Sequence, residues 1–268
     1  MIANVLSIAG VDPSGGAGIL ADVKTFSALG AYGTGVVTAL TAQNTRAVTG
    51  VHLVPPSFIA AQIDTLFADV RIDAVKVGML GSAAIVETVA DRLRAHAVRR
   101  LVVDPVMVAK SGDRLLAADA VAALRERLMT IAEVITPNLP EAADLLGEPA
   151  PTSIAGMRDM ARRLCGLGAR IVMLKGGHLA GPESVDVVDD GSRQITIAAP
   201  RVATANTHGT GCTLSAAIAA LLPRHDDPFE AIRAAKDYVT RAIAASGALD
   251  VGRGHGPVHH FHALWRSS

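Results

Sequence analysis

Short, wholly apolar runs alternate along this chain with longer amphipathic segments, and that rhythm leaves few folds open. Ile2–Ala9, Ala74–Met79, Leu101–Asp104, Val134–Ile135 and Ile171–Leu174 read as strands. Gly16–Leu29, Ser57–Ala68, Ser82–Ala95, Ala118–Leu128, Met157–Leu167, Thr213–Leu222 and Pro228–Ala245 read as helices. In the first of these, Ile19, Val23 and Phe26 recur on one face at helical spacing. Ser57, after Pro55–Pro56, is the expected N-cap of the second. Val36–Leu40 and Val48–Val54 look extended, and Ser184–Val188 and Gln194–Ala198, joined through Asp189-Asp190-Gly191, predict a hairpin. Apolar strands separated by helices imply right-handed crossovers and a mainly parallel sheet with helices on both faces. No repeat, low-complexity stretch or linker interrupts the pattern, so residues 1–268 are expected to form one α/β domain.

Composition excludes several classes. Half of the residues are hydrophobic, which is too apolar for a disordered chain. No run reaches the ~18 apolar residues of a membrane span. Met1–Gly10 lacks a basic n-region and a cleavage site, so no signal peptide is expected. The 25 basic and 25 acidic residues cancel, and no basic face for nucleic acid is evident. Cys165 and Cys212 are too few for a disulfide framework, so a reducing cytoplasm is the expected compartment.

In open parallel sheets ligands bind beyond the carboxyl ends of the strands, so the residues after each apolar run carry the functional information. Gly10-Val-Asp-Pro-Ser-Gly15-Gly16-Ala17-Gly18 follows the first strand. Gly16-Ala17 stand where a P-loop needs Lys and Ser/Thr, and no dinucleotide fingerprint occurs. The loop is either a tight strand–helix connection or a place where backbone approaches a small ligand. Asp22 lies on the following helix, and alone would read as a solvated carboxylate. Asn206-Thr-His-Gly209-Thr210-Gly211-Cys212-Thr213 leads into another helix. Successive Gly-Thr-Gly amides at a helix start form an anion site, and a thiol at such a terminus is expected to have a lowered pKa.

Charged groups end three further strands: Asp104, Asn138-Leu-Pro-Glu141 and Lys175-Gly-Gly-His178. Singly, each could be a helix cap or a surface charge. Together with the Gly-Thr-Gly loop they place two carboxylates and an ammonium on one sheet edge. Carboxylates suit Mg²⁺ beside phosphate oxygens, and an anion loop, a hard cation and a lysine are the parts phosphoryl transfer needs. Gln43 offers a donor and an acceptor, which suits an aminopyrimidine edge and much else. The tail His255, His259, His260 and His262 fits no strong zinc spacing and reads as structural or disordered.

These motifs resemble those of the hydroxymethylpyrimidine/phosphomethylpyrimidine kinases, within the ribokinase-like superfamily. The likeness rests on Ala9-Gly-Val-Asp-Pro-Ser-Gly-Gly-Ala-Gly18, Thr41-Ala-Gln-Asn-Thr45, Lys76-Val-Gly-Met-Leu80, Asp104-Pro-Val-Met107, Thr136-Pro-Asn-Leu-Pro-Glu141, Lys175-Gly-Gly-His178 and Asn206-Thr-His-Gly-Thr-Gly-Cys212. It implies a three-layer αβα sandwich with a small β-hairpin flap, and transfer of phosphate from ATP with Mg²⁺ to an alcohol and then to the monoester formed. It also implies roles. Gly10, Asp22, Gln43, Met79 and Val106 would form the pyrimidine pocket, with Asp22 and Gln43 on the ring's polar edge. Lys175, Asn138, Glu141, Thr207 and Gly209 would bind the nucleotide, and Asp104 and Glu141 the metal. Gly209, Thr210 and Gly211 would hold the migrating phosphoryl group, with Lys175 and Cys212 completing the catalytic set. Beyond the resemblance, Cys212 as thiolate is the expected acceptor of the hydroxyl proton. The family is usually homodimeric. The competing readings are a pyridoxal kinase of the same superfamily and a non-catalytic nucleotide-binding relative.

Overall fold

The computed structural model describes residues 1–107 and 118–265. Its sheet has nine strands: β1 (Asn4–Val11), β2 (Tyr32–Gln43), β3 (Val48–Leu53), β4 (Ala74–Val77), β5 (Leu101–Val103), β6 (Val134–Ile135), β7 (Ile171–Lys175), β8 (Glu183–Asp189) and β9 (Gln194–Pro200). They lie in the order β3-β2-β1-β4-β5-β6-β7-β8-β9. From β2 across to β7 every pairing is parallel. β3, β8 and β9 add antiparallel edges. The short central strands are fully buried, as β4 and β5 show, because helices cover both faces.

One face carries α2 (Pro56–Phe67), α3 (Ala83–Ala95), α4 (Ala118–Ala123), α5 (Leu139–Leu146) and α6 (Ile154–Cys165). The other carries α1 (Gly18–Ala28), α7 (Thr210–Leu221) and α8 (Pro228–Ala244). The expected α/β sandwich is therefore present. α7 lies between α1, α8 and the sheet, and its run of alanines lets it sit close beneath the strands with Ala216, Ala217, Ala219 and Ala220 fully buried. That depth carries its N-terminus to the carboxyl edge. No helix among the described residues is long and apolar enough to cross a membrane.

Several local expectations change. Ser57 does not cap α2; Pro55 holds the cap position and Pro56 begins the helix, because proline's fixed φ suits a first turn. Ser82 does cap α3, accepting from the Ile85 amide. α5 is an addition to the expected helices, with Pro140 in its first turn, where proline breaks nothing. α6 starts at Ile154 under a Ser153 cap, and α7 starts at Thr210 rather than Thr213. The expected hairpin is present as β8 and β9. β8 pairs with β7 through Lys175–Asp186 and its Val187 and Val188 are buried, so it extends the sheet.

Candidate active site

Gly209 is the N-cap of α7, with φ 73°, so the amides of Gly209, Thr210 and Gly211 stand at the helix start, the Thr210 amide also donating to the Thr207 carbonyl at 3.3 Å. The Thr210 hydroxyl donates to the Thr207 carbonyl at 2.8 Å, which draws Thr207 into the same turn. Lys175, at the end of β7, stands over this turn: a Cβ added to Gly211 would lie 3.2 Å from Lys175 Nζ and 3.7 Å from Asp104 Oδ2. The helix start, the ammonium and a carboxylate thus share one small volume, as the strand-end motifs predict.

Lys175 Nζ donates to Asp104 Oδ1 at 2.9 Å and lies 3.9 Å from Glu141 Oε2. Asp104 also accepts from Thr136 Oγ1 at 3.1 Å and from Ser215 Oγ of α7 at 3.3 Å. Burial pushes the Asp104 carboxyl up, but Lys175 and Lys76 together hold it below the usual range. Glu141 and Asn138 form a reciprocal capping box on α5. The Asn138 amide donates to Glu141 Oε2 at 2.7 Å and the Glu141 amide to Asn138 Oδ1 at 2.9 Å. Both side chains therefore shape the helix start, and Glu141 also faces Lys175.

Burial raises the Glu141 carboxyl to about 7; Lys175 opposes that rise and Asp104 adds to it. The ordinary value is 4.5. Below that pH the group is protonated in both states. Between the two values only the unfolded chain gives up its proton, so this group's contribution to stability declines through the window and is gone above it. Glu141→Gln keeps the capping geometry and should gain on wild type as pH rises from about 5 to about 8. Urea midpoints at several pH values check this, and a pH-independent difference contradicts it.

Cys212 lies one turn into the same helix, and here the expected lowering is corrected. Burial pushes its thiol up to about 11; Lys76 and the Gly18 amide pull the other way, while Asp22 and Asp104 add to the rise. The helix terminus does not prevail because the sulfur is shut in with two carboxylates. Beneath it, Lys76 Nζ donates to Asp22 Oδ2 at 2.8 Å with both side chains fully enclosed. Ser7 Oγ donates to the same oxygen at 2.6 Å. Asp22 is thus no solvated carboxylate. Its Oδ1 alone has no hydrogen-bond partner among the described residues.

The remaining pocket residues lie at neighbouring strand ends. A Cβ on Gly10 would press on the Met79 sulfur at 3.2 Å, and Thr38 Oγ1 fixes the Met79 carbonyl at 2.7 Å. The Val106 amide turns back to the Asp104 carbonyl at 2.8 Å. Gln43 ends β2 at a register shift; its Oε1 accepts from Thr41 Oγ1 at 3.1 Å. It lines a cleft with Thr45, His208 and His255, whereas Asp22 is closed in beside Lys76.

Two residues of the site were missed. His208 Nε2 donates to Asp12 Oδ2 at 2.7 Å, and Asp12 also accepts from the Ser14 and Ala17 amides at 2.8 and 2.9 Å. Asp12 thereby joins the loop after β1 to the loop before α7. The glycines between them serve that joint. A Cβ on Gly16 would overlap the His208 ring, and one on Gly209 would overlap the Gly16 carbonyl. The close backbone approach read from the glycine-rich loop is thus made, at these positions, to the chain itself. An Asp-Pro-Ser turn followed by glycines was the available signal. The histidine tail is ordered: His259 and His260 are buried, Thr213 Oγ1 lies 3.2 Å from His260 Nε2, and burial lowers the His260 ring to about 3. No cluster of three or more His, Cys, Asp or Glu side chains that could hold a metal ion is present among the described residues.

A family model described as phosphomethylpyrimidine kinase matches residues 12–259. A hydroxymethylpyrimidine/phosphomethylpyrimidine kinase of Escherichia coli (strain K12) is 53% identical over 262 residues, 98% of each chain. Among solved structures, an ADP complex of Bacillus subtilis pyridoxal kinase superposes with a TM-score of 0.91 at 36% identity, covering 99% of this chain and 100% of that one. A phosphomethylpyrimidine kinase from Clostridium difficile 630 gives 0.80 at 40% identity over 90% of this chain and 99% of that one.

Proposed function

This chain belongs to the phosphomethylpyrimidine kinase family, and from that premise we propose how its residues carry the reaction. The activity is phosphorylation of hydroxymethylpyrimidine and then of its phosphate, in thiamine biosynthesis. The observation that carries the site assignment is the meeting of Lys175, Asp104 and the Gly209–Gly211 turn within one side chain's reach.

The phosphoryl donor is ATP, bound by Lys175, Asn138, Glu141, Thr207 and Gly209. The amides of Gly209, Thr210 and Gly211 hold the migrating group, where fixed dipoles stabilise spreading negative charge. Asp104 and Glu141 both face the Lys175 ammonium, and this donor set fits Mg²⁺, which takes few protein oxygens and shares phosphate oxygens. When bound, Mg²⁺ would neutralise charge on the transferring phosphates. Gly10, Met79 and Val106 pack the pyrimidine, and Gln43 pairs with its polar edge. Asp22 has one oxygen, Oδ1, left for a ring donor, the other being held by Lys76 and Ser7.

The first transfer needs the substrate hydroxyl to lose a proton, and Cys212 is the proposed acceptor. With burial pushing its thiol up to about 11, only a small fraction is thiolate at pH 7, and that fraction rises with pH. In the second transfer the nucleophile is an already ionised phosphate oxygen, so no base is needed. Cys212→Ala should therefore depress the first step more than the second, and the deficit should widen from pH 7 to pH 9. A full base contribution is worth ~10²–10⁴-fold. Separate assays on alcohol and monophosphate decide; equal, pH-independent losses remove the thiolate.

Mass spectrometry of products from Mg·ATP with hydroxymethylpyrimidine tests the whole reading, with two successive phosphate additions expected. Pyridoxal in a parallel incubation should be the poorer acceptor, because it lacks the exocyclic amine that Gln43 serves. Nucleotide binding with no product from either alcohol supports the non-catalytic alternative. The free thiols of Cys165 and Cys212 fit the cytoplasm. The edge strand β3 and exposed Leu40, Val51, Leu53 and Phe58 fit a homodimer that covers this edge.

A further inference from the structure

After α8 the chain returns as a bent tail, and residues 252–257 run between the two halves of the site. On one side is the turn joining β2 to β3. The His255 amide donates to the Thr45 carbonyl at 2.8 Å, and the Gly254 amide to Thr45 Oγ1 at 3.1 Å. On the other side is the loop before α7. The His208 amide donates to the Gly256 carbonyl at 3.0 Å, and His208 and Pro257 form an isolated parallel bridge. Gln43, Thr45, His208 and His255 line one cleft where the three segments meet.

Alternate glycines make the passage possible. A Cβ on Gly254 would overlap the Thr45 carbonyl, and a Cβ on Gly256 would overlap the Asn206 side chain. Gly252 has φ 69°, and Thr45 fills the space its Cβ would take. Gly252 and Gly254 thus bring the tail against Thr45, and Gly256 brings it against Asn206, so bare backbone faces each of the two loops it lies between. The two loops it bridges hang from distant strands, since β2 and β9 lie in opposite halves of the sheet. In-line transfer needs the acceptor oxygen ~3–3.5 Å from phosphorus, and a misplacement of about 1 Å can cost ~10²-fold.

We propose that Gly252–Pro257 is a positioning strap that sets the distance between the pyrimidine-binding turn at Gln43–Thr45 and the phosphoryl-holding loop at His208–Gly211. This rests on the roles given above to Gln43 and to the α7 loop. The strap acts through those two loops; it decides whether two correctly bound ligands meet.

The test is one glycine inserted between His255 and Gly256, which adds up to about 3.3 Å of chain to the strap. First-step kcat is expected to fall about 10- to 100-fold. The dissociation constants of hydroxymethylpyrimidine alone and of ADP alone, by calorimetry, should stay within about threefold, with Tm little changed. Turnover within twofold of wild type overturns the proposal. So does a parallel loss of kcat, both affinities and Tm, which is what a merely structural tail gives. Gly256→Ala provides a second route: kcat should drop, and adding Asn206→Gly, which removes the overlapping side chain, should restore most of it. An unimpaired Gly256→Ala enzyme, or one that Asn206→Gly does not rescue, also overturns the strap. Gln43→Ala, titrated with the pyrimidine alone, separates the premise from the inference. An unchanged affinity there sinks the site assignment and the strap with it, whereas a weakened affinity beside a harmless insertion sinks the strap alone.

Discussion

Gly209→Ala should lower kcat for both phosphorylations by about 10²–10³-fold, the cost of losing one aligned donor in a charge-stabilising site. Gly209 stands at φ 73°, where a side chain costs roughly 1–2 kcal/mol. Its added methyl would overlap the Gly16 carbonyl and crowd the Ala17 backbone, and neither can swing aside as a side chain can. The loop before α7 must therefore lift from the loop after β1, and the amides of Thr210 and Gly211 move with it. The same group migrates in both steps, so both should suffer alike, in contrast to Cys212→Ala. Steady-state rates on the alcohol and on the monophosphate, with circular dichroism to confirm folding, check the pattern. A folded variant that turns over near the wild-type rate removes the loop from the mechanism.

Lys76→Met should destabilise the protein by about 3–5 kcal/mol, because it leaves Asp22 in the interior without its cation. Both side chains of the pair are fully enclosed, so no solvent screening softens the loss. Burial works against the Lys76 ammonium, but the Asp22 carboxylate beside it holds its pKa above the usual value. At roughly 2–4 °C per kcal/mol for a chain of this size, Tm should fall by about 10 °C. Adding Asp22→Leu removes the stranded carboxylate, and an apolar pair in place of a buried ion pair is often neutral, so most of the loss should return. Activity should not return with it, since Cys212 then lacks the neighbouring ammonium and the pocket lacks Asp22. A single variant as stable as wild type, or a double variant as unstable as the single one, contradicts this account.

The parallel sheet was legible because burial on both faces forces apolar runs such as Leu101–Val103 and Ile171–Leu174, which no exposed strand would carry. The site was legible as a set of strand ends. Lys175, Asp104 and Glu141 gather where topology places carboxyl termini, and Gly209-Thr-Gly211 announces a helix start by composition. Other features were hidden for physical reasons. α5 was hidden because it is only eight residues long, too short for apolar periodicity to stand out. Asp12 and His208 stand 196 residues apart, and nothing local to either indicates the other. The tail's alternate glycines read as loop composition until Thr45 and Asn206 are seen against them.

The sequence by itself determined the α/β class, the edge of the sheet that carries chemistry, and the residue types gathered there, because periodicity and turn chemistry act over a few neighbouring residues. Only the tertiary structure decided the ionisation of those residues. A thiol at a helix start would be acidic in water, and Asp22 would be solvated. Enclosure beside Asp104 and Lys76 raises the one and pairs the other, since desolvation and through-space charge depend on groups that the chain brings together only when it folds.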